Sequence, residues 1–420
     1  MKKRVLVSLI SSICLLFAYG TAGAKVKGVC QACHTMHNSQ GGQPMAKTTG
    51  TGQVPYWNGD AINTATTNSS TPVEHLLRTD CIGCHSNAGT ATIISYESNS
   101  VPIVHNTQKP AYETPGANNA LAGGNFYWTD PNSGADFADN HGHNIFSQDA
   151  TLSQAPGLND HGVNCTNGCH HRLYNPIAPD GVTQLVGCQG CHYSTWHHKA
   201  KGPDAGAPGP DNLKVNPTYR FLAGHHLTET GTYGSLNYVQ GIESGDYEQM
   251  ASASDHNVYM ANGASAAGSF VGAPTGIVNA SNHSMSAFCA ACHGAFHEDT
   301  MDTSSTWIRH PIDVLVSSLV SDGHEDETFF YNGPDGYGVN NYDPAVPVAY
   351  GIANPLTDSI SSYSTISQTA GRVTCVSCHR THASPYPSML RFDYNQVIAG
   401  NGTVAGGNGC FACHTEKALK

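Results

Sequence analysis

Charge is scarce in this 420-residue chain: Asp, Glu, Lys and Arg make up only 12% of it, and 19 cations face 31 acids. A nucleic-acid partner needs a basic face to meet phosphate, so that class is excluded. Cationic redox partners and metal ions are favoured electrostatically. Aliphatic bulk is modest beside 45 glycines and 22 prolines, a balance that ordinarily leaves a weak core or none. Long apolar runs are missing beyond Val5–Tyr19. That run follows Lys2, Lys3 and Arg4 and precedes Ala22-Gly23-Ala24, the plan of a secretory leader cut after Ala24. About fifteen apolar residues is short for a membrane span, and no second span follows. Residues 1–24 are therefore expected to be removed on export. The mature chain, 25–420, is expected as one domain with no integral membrane span and 16 cations against 31 acids.

Cysteine is absent outside a single pattern. Apart from Cys14 in the leader, the remaining 14 fall into seven pairs, each followed directly by histidine. They are Cys30/Cys33/His34, Cys81/Cys84/His85, Cys165/Cys169/His170, Cys188/Cys191/His192, Cys289/Cys292/His293, Cys375/Cys378/His379 and Cys410/Cys413/His414. None is left over for a disulfide. One Cys-x-x-Cys alone reads equally well as half a zinc knuckle or a redox dithiol. Seven in an exported chain, with histidine at the same offset, point to covalent attachment of c-type haem: two thiols form thioethers and the histidine ligates iron. The Cys165 motif departs from the rest, with Thr166-Asn167-Gly168 between its cysteines. Flexible Asn-Gly accommodates the longer spacer; the alternative is one thioether or none.

Seven haems in the 396 mature residues give one per roughly 57 residues. Porphyrin then supplies the apolar volume that the side chains lack. The expected fold is mostly irregular, with a few short α-helices, wrapped around a column of stacked haems. Three stretches divide it: 25–138 with haems 1 and 2, 139–256 with haems 3 and 4, and 257–420 with haems 5 to 7. Thr71-Pro72-Val73-Glu74 reads as a capping box opening a short helix through His75, Leu76 and Leu77 to the Cys81 motif. Residues 90–160 read as loop, and 202–211 as a linker rich in Gly and Pro. A short helix is predicted from Ser284 into the Cys289 motif, and an amphipathic one over 311–320, with Ile312, Leu315, Val316 and Leu319 on one face. Asp335 to Asp343 fits no calcium loop and reads as a turn.

Of the 24 histidines, seven are proximal and 17 remain for seven sixth positions. A methionine or an open position is the alternative at any haem, but histidine ligands on both faces are favoured by count. His37 after His34, His297 after His293 and His382 after His379 recur at i+3 or i+4, on one helical face. A second histidine beside the proximal one cannot reach the far face of the same porphyrin, so each is expected to serve a different haem. The distal candidates are His37, His105, His143, His198, His256, His297, His310 and His382, one more than needed.

The motifs resemble those of the filament-forming extracellular multihaem cytochromes of metal-respiring bacteria, the OmcS type. The resemblance rests on Cys30-Gln-Ala-Cys-His-Thr-Met-His-Asn-Ser-Gln-Gly-Gly42, Gly142-His-Asn-Ile145 and Met285-Ser-Ala-Phe-Cys-Ala-Ala-Cys-His293 with His297. Arg309-His-Pro311, Cys375-Val-Ser-Cys-His-Arg-Thr-His-Ala-Ser384, Met389–Phe392 and the Cys410 motif continue it. These blocks follow the family's order along the mature chain. The resemblance implies an almost loop-only protomer that polymerises into a conductive filament, with His37 ligating a haem of the adjacent protomer. The family's best-known member has one haem fewer, and residues 139–256 are not carried over.

The expected function is long-range extracellular electron transfer by a heptahaem c-type cytochrome that assembles end to end. Its partners would be copies of itself, other multihaem cytochromes and extracellular metal oxides; its location would be the cell surface or beyond, with the periplasm second. The alternatives are a monomeric periplasmic or outer-membrane-associated shuttle, and a multihaem reductase with one open iron. Catalytic residues are not expected: the chain reads as a conductor and not an enzyme.

Overall fold

The computed structural model describes residues 81, 85–96, 99–112, 120–143, 188–192, 219–222, 239, 241–249, 256–262, 284–290, 312–313, 315, 345–352, 371–398 and 409–412, with short strands between 34 and 78. The described chain is mostly irregular. Its helices are single turns, Cys188–Cys191, Met285–Ala290 and Cys375–Cys378, and most of its strands hold only two residues. This is the loop-dominated class that the composition predicts. Among the described residues no helix is long and apolar enough to cross a membrane.

One neighbourhood joins 85–143 to 371–398. Strands Ile93–Tyr96 and Asn99–Pro102 form a hairpin that closes at Tyr96 and Asn99. Strand His105–Asn106 then returns parallel to Ser86–Asn87, placing His105 beside Ser86. Side-chain amides tie the loop backbone here, beside the buried Ile103, Leu121, Phe126, Tyr127 and Trp128. Asn106 Nδ2 donates to the Gly89 and Ala91 carbonyls, and Asn125 Nδ2 donates to Asn106 Oδ1 at 2.7 Å. Asn125 also caps the following turn, its Oδ1 accepting from Tyr127 N. Buried polar groups satisfied in this way fix the path of the loop between its apolar contacts. Arg380 and Arg391 tie the C-terminal segment on, donating to the carbonyls of Leu121 and Ala122 respectively.

A second neighbourhood centres on a three-stranded sheet. Val258–Asn262 lies between Gly241–Ile242, antiparallel to it, and Ala349–Ile352, parallel to it. Tyr219, Leu222, Val239, Tyr259, Ala261, Met285, Ala349 and Val376 form one buried cluster over this sheet. The parallel pairing joins segments about ninety residues apart, so tertiary contact and not local propensity makes these strands.

Local expectations fared unevenly. The helix ahead of the Cys289 motif is present as Met285–Ala290. The helix predicted through Leu77 is not: Leu77–Arg78 is a strand, antiparallel to His34–Thr35 beside the first motif. Pairing across the chain overrides the capping signal there. The amphipathic helix over 311–320 is also absent where the chain is described. Asp313 is buried at φ 57° and Leu315 bridges to Arg372, so Ile312 turns inward from extended backbone. The hairpin within 90–160 was not foreseen. Residues 202–211 and 335–343, and the leader, lie outside the described residues.

Candidate haem-binding sites

Each described Cys-x-x-Cys is one helical turn. His192 N–H donates to the Cys188 carbonyl at 2.8 Å, and His379 N–H to the Cys375 carbonyl at 3.0 Å. A bond from residue i+4 to i sets the first cysteine, the second and the histidine on one side of the turn. Two thiols and an imidazole thus face a single planar group, as covalent haem requires. The Cys375 turn is fixed by a reciprocal cap between Thr374 and Ser377, and Ser377 Oγ also donates to the Pro347 carbonyl at 2.6 Å.

The proximal imidazoles are oriented alike. His85 Nδ1–H donates to the Pro102 carbonyl, His192 Nδ1–H to Arg220 and His379 Nδ1–H to Ser388, each at 2.8 Å. A carbonyl at Nδ1 fixes the tautomer and leaves the Nε2 lone pair for a metal. Burial holds His85 and His192 below the ordinary histidine range, which keeps them neutral and able to ligate. The donor set and its orientation therefore fit haem.

Three motifs meet at one place. Cys191, Phe288 and Cys289 pack against the apolar cluster, and Val376, inside the Cys375 turn, belongs to it. The Cys378 thiol is pushed up to about 12, by burial first and then by Cys410 and Cys375 nearby. Sequence spacing alone gives no sign that the fourth, fifth and sixth motifs converge.

Four distal candidates are described. His143 Nδ1–H donates to the Thr381 carbonyl and His256 Nδ1–H to the Asn257 carbonyl, both at 2.8 Å, the geometry of the proximal set. His382 is pushed down to about 3 by burial, then by His192 and His143 nearby. Its ring stacks on Phe126, centroids 4.7 Å apart. Glycine is required beside it, because a Cβ on Gly123 would lie 2.8 Å from His382 Nδ1.

His105 differs from the other three. Its Nε2–H donates to Asp130 Oδ2 at 2.9 Å and its Nδ1 lies 3.1 Å from Ser86 Oγ, all three residues being buried. Both ring nitrogens are thereby occupied, and withdrawing the ring toward an iron would strand a buried carboxylate. His141 buries an Nδ1 that lacks a hydrogen-bond partner among the described residues, beside the strand-like contact of Gly142 with Ala383.

Cys81, Cys188, Cys191, Cys289, Cys375, Cys378 and Cys410 are described and half-buried. Cys30, Cys33, Cys84, Cys165, Cys169, Cys292 and Cys413 lie outside the described residues, as do His170, His293, His414, His37, His198, His297 and His310; His34 is described only in its backbone pairing.

The family profile for a doubled CXXCH motif matches residues 369–419, which span the Cys375 and Cys410 motifs. The C-type cytochrome OmcS of Geobacter sulfurreducens is 25% identical over 420 aligned positions, covering 94% of this chain and 86% of that protein. Two solved structures are also similar. The Outer Membrane Cytochrome S filament of that organism is 22% identical over 89% of this chain and 85% of its own, with a TM-score of 0.43. The OmcS nanowire structure is 20% identical over 95% and 91%, with a TM-score of 0.41. The likeness in sequence runs almost end to end, and together with the doubled motif it supports a multihaem cytochrome of the OmcS type.

Proposed function

We propose that this chain is an exported heptahaem c-type cytochrome that carries electrons over long range outside the cell and polymerises end to end. The observation that carries the reading is the shared orientation of His85, His192 and His379, each held by a carbonyl at Nδ1. Haem, when bound, supplies a one-electron couple at each motif. The cysteines fix position, the carbonyl bonds hold the imidazoles still, and the apolar cluster at Cys191 and Cys289 excludes water. Rigid, dry ligands change little between oxidation states, which favours transfer over chemistry at the iron. Distal histidines on every haem leave no iron open to a small substrate, so the chain is read as a carrier and not a reductase.

The N-terminal His37 is assigned to a haem of the next protomer, by analogy with the OmcS type. Copies of the chain are then its first partner, with other multihaem cytochromes and extracellular metal oxides at the ends of the path. Intact mass of the haem-loaded protein tests the cofactor: the mature chain plus seven haems is expected, including one at Cys165/Cys169. Electron microscopy of material sheared from cells tests assembly. Uniform filaments support the polymer; discrete heptahaem particles would replace it with a monomeric shuttle.

A further inference from the structure

Residues 139–256 are where the OmcS resemblance offers no guide, and the Cys188 motif sits there, with no sixth ligand assigned to its haem. The structure supplies one. The rings of His192 and His382 have centroids 6.1 Å apart, inclined at 57°. Two imidazoles on opposite sides of one iron stand at about that separation, set by two metal–nitrogen bonds of about 2 Å and the two half-rings. His192 Nδ1 is committed to the Arg220 carbonyl, which leaves Nε2 for a metal, and His382 carries a buried Nδ1 packed toward Gly123 with no hydrogen-bond partner among the described residues. His382 is further fixed from behind by Phe126, and its backbone by a bond from His382 N to the Gly123 carbonyl at 2.7 Å.

We propose that His192 and His382 are the two axial ligands of one iron, that of the haem attached at Cys188 and Cys191. This rests on the heptahaem reading above and adds a wiring assignment to it. His382 lies three residues beyond His379, the proximal ligand of the haem at Cys375 and Cys378. One short segment therefore holds the irons of the fourth and sixth haems, and these are neighbours.

The test begins with haem mapping of tryptic peptides from the intact wild-type protein. A count without haem at Cys188/Cys191 would overturn both the heptahaem reading and this assignment. With seven haems present, His382→Ala is expected to convert one haem to a high-spin, carbon monoxide-binding form. The same substitution in a Cys188→Ala/Cys191→Ala background, which lacks that haem, is expected to add no high-spin signal. All haems remaining low-spin in His382→Ala, or a high-spin signal that persists in the double background, would overturn the assignment while leaving the heptahaem reading intact. Where His382→Ala fails to accumulate, His382→Met keeps an axial ligand and should raise one of seven reduction potentials. Seven unchanged potentials in His382→Met would equally overturn it.

Discussion

A histidine in a multihaem chain is identified less by its neighbours in sequence than by what holds its two nitrogens. His143 and His105 both precede asparagine, and both are distal candidates in the sequence. In the structure His143 presents one nitrogen to a carbonyl, whereas His105 spends both on Ser86 and Asp130. Replacing His143 with alanine should therefore expose one high-spin haem by electron paramagnetic resonance. His105→Gln should leave all seven low-spin and instead lower thermal stability, by about 1–3 kcal/mol as a buried hydrogen-bonded pair is broken. Asp130 carries a pH signature of the same contact. Burial raises it, but the bonds from His105 and Asn132 outweigh that and hold it below its ordinary value of 3.8. An acid lowered on folding stabilises the fold above its unfolded value and loses that contribution as pH falls through the folded one. Melting temperature should fall with pH below about 3.8, and less steeply in Asp130→Asn.

At the scale of elements, short turns act as brackets. Gly124 holds φ 76° where a Cβ would collide with the Ala383 carbonyl, the same oxygen that accepts from Asn125 N at 3.0 Å. Gly124→Ala is expected to cost about 1–3 kcal/mol in chemical denaturation. Removing the reciprocal cap with Thr374→Ala should cost about 1 kcal/mol. The attachment turns were legible in the sequence because a helical turn is what places two cysteines and a histidine together. So was the helix at Met285, whose apolar residues and motif share one turn. The strand at Leu77 and the bend at Asp313 were not, because each depends on a partner distant in the chain, His34–Thr35 and Arg372; the hairpin at Ile93 is local, but its strands interrupt a stretch that reads as loop. Loop-dominated chains carry little periodicity by which to read such pairings.

At the scale of the molecule, the larger of the described apolar clusters lies on a three-stranded sheet, where three attachment motifs touch it, and a smaller one joins Tyr127, Trp128 and Ala383. A chain so poor in aliphatic bulk should not hold this shape without its cofactor. Expressed where haem is not attached, it is expected to show an expanded radius by small-angle scattering and no cooperative melt. His37→Ala, tested on haem-loaded protein, should retain its seven haems but yield discrete particles under the microscope, in place of filaments. That haem is covalently attached was readable from the cysteine pattern. The path of the haem array was not, since which histidine meets which motif is decided by folding.

The span between His192 and His382 also imposes a schedule. On the proposed export from the N-terminus, His192 would emerge well before His382, which lies 190 positions further along the chain. During that interval the middle of the protein waits for a closing piece that only its tail can deliver. Nascent chains stalled ahead of residue 382 would be immature in a defined way, lacking one ligand rather than lacking a fold.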